Sequence, residues 1–204
     1  MIYIVNYQSG NLGAINNMFK RIGVETSIAT KPADLIKASK IVLPGVGAFD
    51  TGMQNLKEGG WLETLNKRVL EDKVPTIGIC LGMQLLTKGS EEGKREGLGW
   101  ISGTTKRFSF ADKSLKVPHM GWNKVITNKS SNLISINPDI EKRFYFAHSY
   151  YVKTDHDQDT LLKTFYGLEF SSAVEKENIL GVQFHPEKSH RFGMELLTNF
   201  ANNY

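Results

Sequence analysis

Thr76-Ile77-Gly78-Ile79-Cys80-Leu81-Gly82-Met83-Gln84-Leu85-Leu86 joins an apolar, β-branched run to a helical pattern through a turn of the form Gly-x-Cys-x-Gly. That is the spacing of a nucleophile elbow with cysteine in place of serine. Glycines two positions before and two after the nucleophile remove the β-carbons that would crowd a sharp strand-to-helix turn. Cys80 is therefore expected to project from the carboxyl end of a mostly parallel sheet, where open α/β sheets bind ligands. A helix N-terminus at that point favours the anion of a thiol. The competing reading is a buried cysteine that packs as a small hydrophobe. Cys80 is the sole cysteine, so no internal disulfide competes for it.

The residues on the N-terminal side of the elbow fit the same architecture. Ile2 to Val5, Val24 to Ala29, Lys40 to Leu43 and Pro75 to Ile79 are short strand candidates. Between them, Leu12, Ile15, Met18, Phe19 and Ile22 recur at spacings of three and four and predict a helix over Asn11 to Arg21, closed by Gly23. Pro32 to Ala38 and Trp61 to Glu71 read as further helices. Alternating strands and helices predict a doubly wound α/β fold. Beyond Trp100 the texture changes to short alternating or aromatic runs such as Lys124 to Thr127, Arg143 to Phe146 and Leu161 to Phe165, which predicts a mixed or antiparallel extension. Glu169 to Glu175 and Ile179 to Phe184 flank a tight turn, and Arg191 to Asn202 predicts a closing helix. With no repeat and no Pro/Gly/Ser-rich linker, residues 1–204 are expected to form one domain.

Composition bounds the partners. The 25 basic and 21 acidic residues are interspersed, which describes a solvated surface and not a nucleic-acid arm. Met1 to Asn6 lack the basic start of a secretory signal, and no run approaches the roughly 18 apolar residues of a membrane helix, so a cytoplasmic protein is expected.

Two further stretches bear on chemistry. Leu180-Gly181-Val182-Gln183-Phe184-His185-Pro186-Glu187 reads as an apolar strand ending in a histidine, with a carboxylate two residues on. Strand periodicity would place His185 and Glu187 on one side. His185 could then take a thiol proton and return it to a leaving group, while Glu187 holds the imidazole in one tautomer. Alone, His-x-Glu fits a surface histidine beside a carboxylate better, a balance the elbow reverses, and a zinc site from Cys80, His185, Glu187 and His190 would lack any Cys-x-x-Cys pair. No metal or cofactor is expected. Ile41 to Phe49 reads as a strand followed by the loop Gly45-Val46-Gly47, whose backbone N–H groups, with that of Leu81, would suit an oxyanion. A dinucleotide site is excluded there because Asp50 occupies the third glycine position of Gly-x-Gly-x-x-Gly. In Val117 to Asn123, Met120 and Trp122 stand beside glycine and proline and suggest an exposed loop that meets a partner. Phe144 and Phe146 are expected in the core.

Taken together, these residues resemble the class I glutamine amidotransferases, the triad type with a Cys-His-Glu site. The likeness runs through Tyr7-Gln8-Ser9-Gly10-Asn11-Leu12, Pro44-Gly45-Val46-Gly47, Gly78 to Gln84, Pro118 to Asn123, His148-Ser149-Tyr150 and His185-Pro186-Glu187-Lys188-Ser189. The narrower motifs are most similar to the glutaminase subunits of imidazole glycerol phosphate synthases. The resemblance implies a Cys80 thioester, a triad completed by His185 and Glu187, an oxyanion among Val46, Gly47 and Leu81, and glutamine held by Gln84, Ser149 and Tyr150. It also implies ammonia delivered through a tunnel to a (βα)₈-barrel cyclase subunit in a heterodimer, faced by Asn11, Met120 and Trp122. Asn6 departs from the aspartate usual before the tyrosine, and similar subunits feed sugar amidotransferases. A free-standing γ-glutamyl hydrolase and a non-catalytic interaction subunit remain alternatives.

Overall fold

The computed structural model of the chain describes residues 1–135 and 139–204. Its frame is the alternation expected from the N-terminal half: β1 (Ile2–Val5), α1 (Leu12–Arg21), β2 (Thr26–Ala29), β3 (Lys40–Gly45), α2 (Phe49–Glu58), α3 (Trp61–Asn66), β4 (Thr76–Cys80) and α4 (Leu81–Leu85). The remaining elements are β5 (Gly103–Arg107), β6 (His119–Lys124), β7 (Ile126–Thr127), β8 (Arg143–His148), β9 (Tyr150–Thr154), β10 (Thr160–Tyr166), β11 (Leu168–Lys176), β12 (Ile179–Val182) and α5 (His190–Asn203). The main sheet runs β2-β1-β3-β4-β12-β11-β10-β7. Its first five strands are parallel and the rest antiparallel, with β9 bridging β11 and β5.

Both faces of this sheet are covered. Ile15, Met18 and Phe19 of α1 and Leu196, Leu197 and Phe200 of α5 close one side, and the α2, α3 and α4 residues Phe49, Leu56, Leu65 and Leu85 close the other. Strands buried on both faces read as continuous apolar runs, which is why β3 and β4 carry no alternation. Asn11 caps α1, its side chain accepting the Ala14 N–H at 3.2 Å. Phe144 and Phe146 are fully buried, as expected.

Several local expectations are corrected. Helix α2 is not signalled by the sequence: its apolar face is only Phe49, Gly52, Met53 and Leu56, and Gly52 reads as a breaker. That glycine instead lets α2 approach α4, since a β-carbon there would lie 3.2 Å from Leu81 and Leu85 side chains. The Pro32 segment is a 3₁₀ helix, Pro32–Lys37, and the stretch from Trp61 passes into a π turn at Lys67–Glu71. The Glu169–Glu175 and Ile179–Phe184 hairpin forms, but β12 ends at Val182. Met120 and Trp122 lie on β6, paired with β8 through Met120↔Ala147 and Trp122↔Tyr145, and not on a loop. They are nonetheless 64% and 46% exposed.

Candidate active site

Cys80 ends β4 with φ 55° and ψ −111°, a conformation L residues seldom adopt and which costs about 1–3 kcal/mol. The neighbours over-determine it. A β-carbon on Gly78 would fall 2.6 Å from the Gly82 carbonyl oxygen, and one on Gly82 would fall 1.8 Å from that of Leu43. Only glycine fits at either position, which is the steric basis of the elbow. Parallel pairing of β4 with β12, in register Ile79↔Val182, brings the chain after Val182 alongside Cys80.

Glu187 meets His185 by a turn and not by strand alternation, which corrects the sequence argument while keeping its consequence. Pro186–Lys188 form a 3₁₀ turn that folds Glu187 back, so Glu187 Oε1 accepts from His185 Nδ1 at 2.8 Å. Cys80 acts on the same ring, and Cys80 and His185 line one cavity. The turn is fixed to β8: the His185 N–H donates to Tyr145 O at 2.9 Å, and Ser189 Oγ donates to His185 O at 2.6 Å while accepting the Tyr145 N–H at 3.0 Å. Burial alone would push the imidazole down, but its hydrogen bonds to Cys80 and Glu187 and their charges outweigh it and raise His185 to about 10. The imidazolium is thus the favoured form between these two partners.

Cys80 and His185 open on a cavity of about 460 Å³. Val46, Gly47, Leu81, Gln84, Ser149 and Tyr150, the positions expected around an oxyanion and a substrate, all line it, together with Met120. Asn11 and Trp122 do not line it. Trp122 stacks on His190 with ring centroids 5.5 Å apart, and Asn11 is exposed at the start of α1. Leu81 is the first residue of its helix, so its N–H has no intrahelical acceptor and is free for an anion. The Val46 amide is not: it donates to Ser9 Oγ at a long 3.4 Å, and Ser9 Oγ–H donates to Val46 O at 2.7 Å. Asn6 Oδ1 accepts the Gln8 N–H at 3.2 Å, a bond an aspartate oxygen would make equally.

Sequence reading missed Glu92, Lys188 and His148, which also line the cavity. Glu92 comes from a polar stretch that carries no motif. It arrives because its Oε2 caps α2, accepting the Phe49 N–H at 2.8 Å. His148 Nδ1 donates to Tyr150 O at 2.7 Å, His119 Nδ1 donates to His148 Nε2 at 3.0 Å, and Asn123 Nδ2 donates to His119 Nε2 at 3.2 Å. The backbone carbonyl can only accept, so it fixes both tautomers. Burial holds both imidazoles neutral, pushing His148 down to about 3 and His119 to about 4.

Similarity to known proteins points the same way as this geometry. The family model described as Glutamine amidotransferase class-I matches residues 3–203. The chain is 53% identical to the Methanococcus maripaludis "Imidazole glycerol phosphate synthase subunit HisH 2", covering 98% of each chain. It is 45% identical to the protein of the same description from Pseudomonas aeruginosa, again over 98% of each. Among solved structures, one described as "Structure of PurLQS from Thermotoga maritima" superposes with a TM-score of 0.75 at 19% identity, covering 99% of this chain and 97% of that one. Another, described as "Crystal structure of glutamine amidotransferase", superposes with a TM-score of 0.72 at 19% identity, covering 97% of this chain and 100% of that one. At these identities both likenesses show the fold alone.

Proposed function

The chain belongs to the class I glutamine amidotransferases, and from that membership we propose that it is the glutaminase subunit of an imidazole glycerol phosphate synthase, with Cys80, His185 and Glu187 as its triad. The observation that carries this reading is that Cys80, on its elbow, shares one cavity with His185, whose ring is held by Glu187 at 2.8 Å. In the proposed reaction Sγ attacks the side-chain carbonyl carbon of glutamine. His185, holding the thiol proton, gives it to the departing nitrogen as the C–N bond breaks and ammonia leaves. A thioester remains. Water, deprotonated by His185, attacks it, Sγ departs and glutamate is released. Glu187 orients the ring and balances its charge without taking the proton.

The oxyanion would rest on the Leu81 N–H and one donor from Val46-Gly47. Gln84, Ser149 and Tyr150 would hold the amino acid, and Glu92 supplies a carboxylate for its α-ammonium. Ammonia must leave through the cavity mouth, which Met120 borders, and exposed Trp122 shares its strand. A (βα)₈-barrel cyclase docked on Met120, Trp122 and Asn11 would receive it by a channel before water protonates it. We therefore assign the chain, as one glutaminase unit over residues 1–204, to a cytoplasmic heterodimer of histidine biosynthesis with lyase activity. Among the described residues no helix is long and apolar enough to cross a membrane.

The test is glutamate release from glutamine by the purified chain, with and without a histidine-pathway cyclase and its nucleotide substrate. Strong stimulation supports the assignment. Hydrolysis that ignores the cyclase moves the ammonia to another acceptor, such as a sugar amidotransferase. Because Ser9 occupies the Val46 amide, basal turnover should be low. Ser9→Ala is expected to raise it, by at most the about 10²–10³-fold that one oxyanion donor contributes. An unchanged basal rate in that variant would refute the Ser9 latch.

A further inference from the structure

We propose that Gln183 donates a hydrogen bond to the Cys80 sulfur and holds it in line with His185, its amide aimed by a chain of side-chain amides that starts at the Tyr150 carbonyl. This rests on the reading of Cys80 as the nucleophile. Gln183 is not among the site residues expected from sequence, yet the Ile79↔Val182 register makes it the lateral neighbour of Cys80. Its backbone is fixed by an N–H to Ser172 O bond of 2.9 Å, and its side chain is fully buried.

The direction of the amide follows from its neighbours. Gln84 Nε2 lies 3.1 Å from Tyr150 O and 3.0 Å from Gln183 Oε1. Tyr150 O is a carbonyl and can only accept, so Gln84 must present its NH₂ group, and the second hydrogen of that group points at Gln183. Gln183 must therefore offer oxygen to Gln84, which leaves its own NH₂ facing Sγ at 3.8 Å. Reversing Gln84 would set oxygen against oxygen, and reversing Gln183 would set two NH₂ groups against each other, and either mismatch in a buried site costs more than it returns. A polar side chain serving only to fill the core would need one partner for its oxygen. The second contact, to the reacting atom, is what such a role does not require. A donor on sulfur favours developing negative charge there, as in the attacking thiolate and the departing one.

The experiment uses the full chain and reads the pH dependence of Cys80 alkylation by iodoacetamide. Mass detection is unambiguous because the sequence has one cysteine. Gln183→Met removes the donor with similar bulk, and Gln183→Glu keeps the shape but, when ionised, can only accept. The titratable groups facing Sγ, His185 and Tyr7, with Glu187 and His148 behind His185 and Glu92, Lys188 and Tyr150 around the same cavity, are unchanged in both. For Gln183→Met the alkylation midpoint should rise by about 1 pH unit, with kcat down about tenfold and KM for glutamine nearly constant. Gln183→Glu should lose further as pH rises. Wild-type alkylation and kcat in a folded Gln183→Met, or a loss confined to KM, would overturn the proposal. If that variant does not fold, wild-type behaviour of Gln183→Glu overturns it. Alkylation needs no turnover, so a wild-type chain that failed to hydrolyse glutamine would sink the glutaminase reading and still leave Gln183 tested.

Discussion

Glu187→Gln is expected to lower glutaminase turnover by about 10⁴-fold, approaching the Cys80→Ala chain, for which no glutamate release above background is expected. The geometry makes the loss large. Glu187 is 3% exposed on its side chain and spends Oε1 on His185 Nδ1 at 2.8 Å. A glutamine of the same shape removes the charge that opposes burial of the imidazolium. It also allows an NH₂ group to face Nδ1, which stabilises the tautomer that cannot receive the thiol proton. The check is a single-turnover assay with the cyclase present, and a variant within tenfold of wild type would show that Glu187 is a structural partner only.

The second large effect is on stability in acid. His119 and His148 are held neutral, at about 4 and about 3, whereas in the unfolded chain each takes up a proton as pH falls through about 6.5. Between those values the unfolded state binds more protons, so stability falls as pH falls from about 6.5 towards 4. His185 works in the opposite sense. Raised to about 10, it contributes stability that is full below about 6.5 and is lost as pH climbs through about 10. Denaturant titrations should therefore show a maximum near neutrality. The acid limb should lose a few kcal/mol, and its slope should be shallower by about 1.4 kcal/mol per pH unit for each histidine removed, as in His119→Gln. Carboxylates contribute to the same limb but are common to both proteins. An identical acid slope in wild type and His119→Gln would end this account.

How much is legible in the sequence depends on the range of the physics involved. The elbow can be read because Gly-x-Cys-x-Gly is a local pattern and Gly78 answers to the Gly82 carbonyl four residues on, although Gly82 itself answers to Leu43 on a neighbouring strand. Helix α1 can be read because its apolar spacing and its Asn11 cap lie within the same eleven residues. Helix α2 cannot, since Gly52 has its reason in the side chains of Leu81 and Leu85, far along the chain. His185 and Glu187 pair correctly from their types but by a different geometry, because a strand and a 3₁₀ turn can both bring residues two apart together.

By itself the sequence determined the doubly wound frame, the sharp turn at Cys80 and part of the cavity lining, among it Val46, Gly47, Leu81, Gln84, Ser149 and Tyr150, all of which follow from local backbone preference, periodicity and the resemblance they carry. Only the tertiary structure decided that β12 lies beside β4, and hence that Gln183 flanks the sulfur. It also decided that Glu92 enters the cavity by capping α2, that Ser9 holds the Val46 amide, and that two histidines are buried back to back. The reason is the same in each case. Which distant groups become neighbours is set by strand order and packing, and hydrogen-bond direction is set only once a backbone carbonyl such as that of Tyr150 is in place.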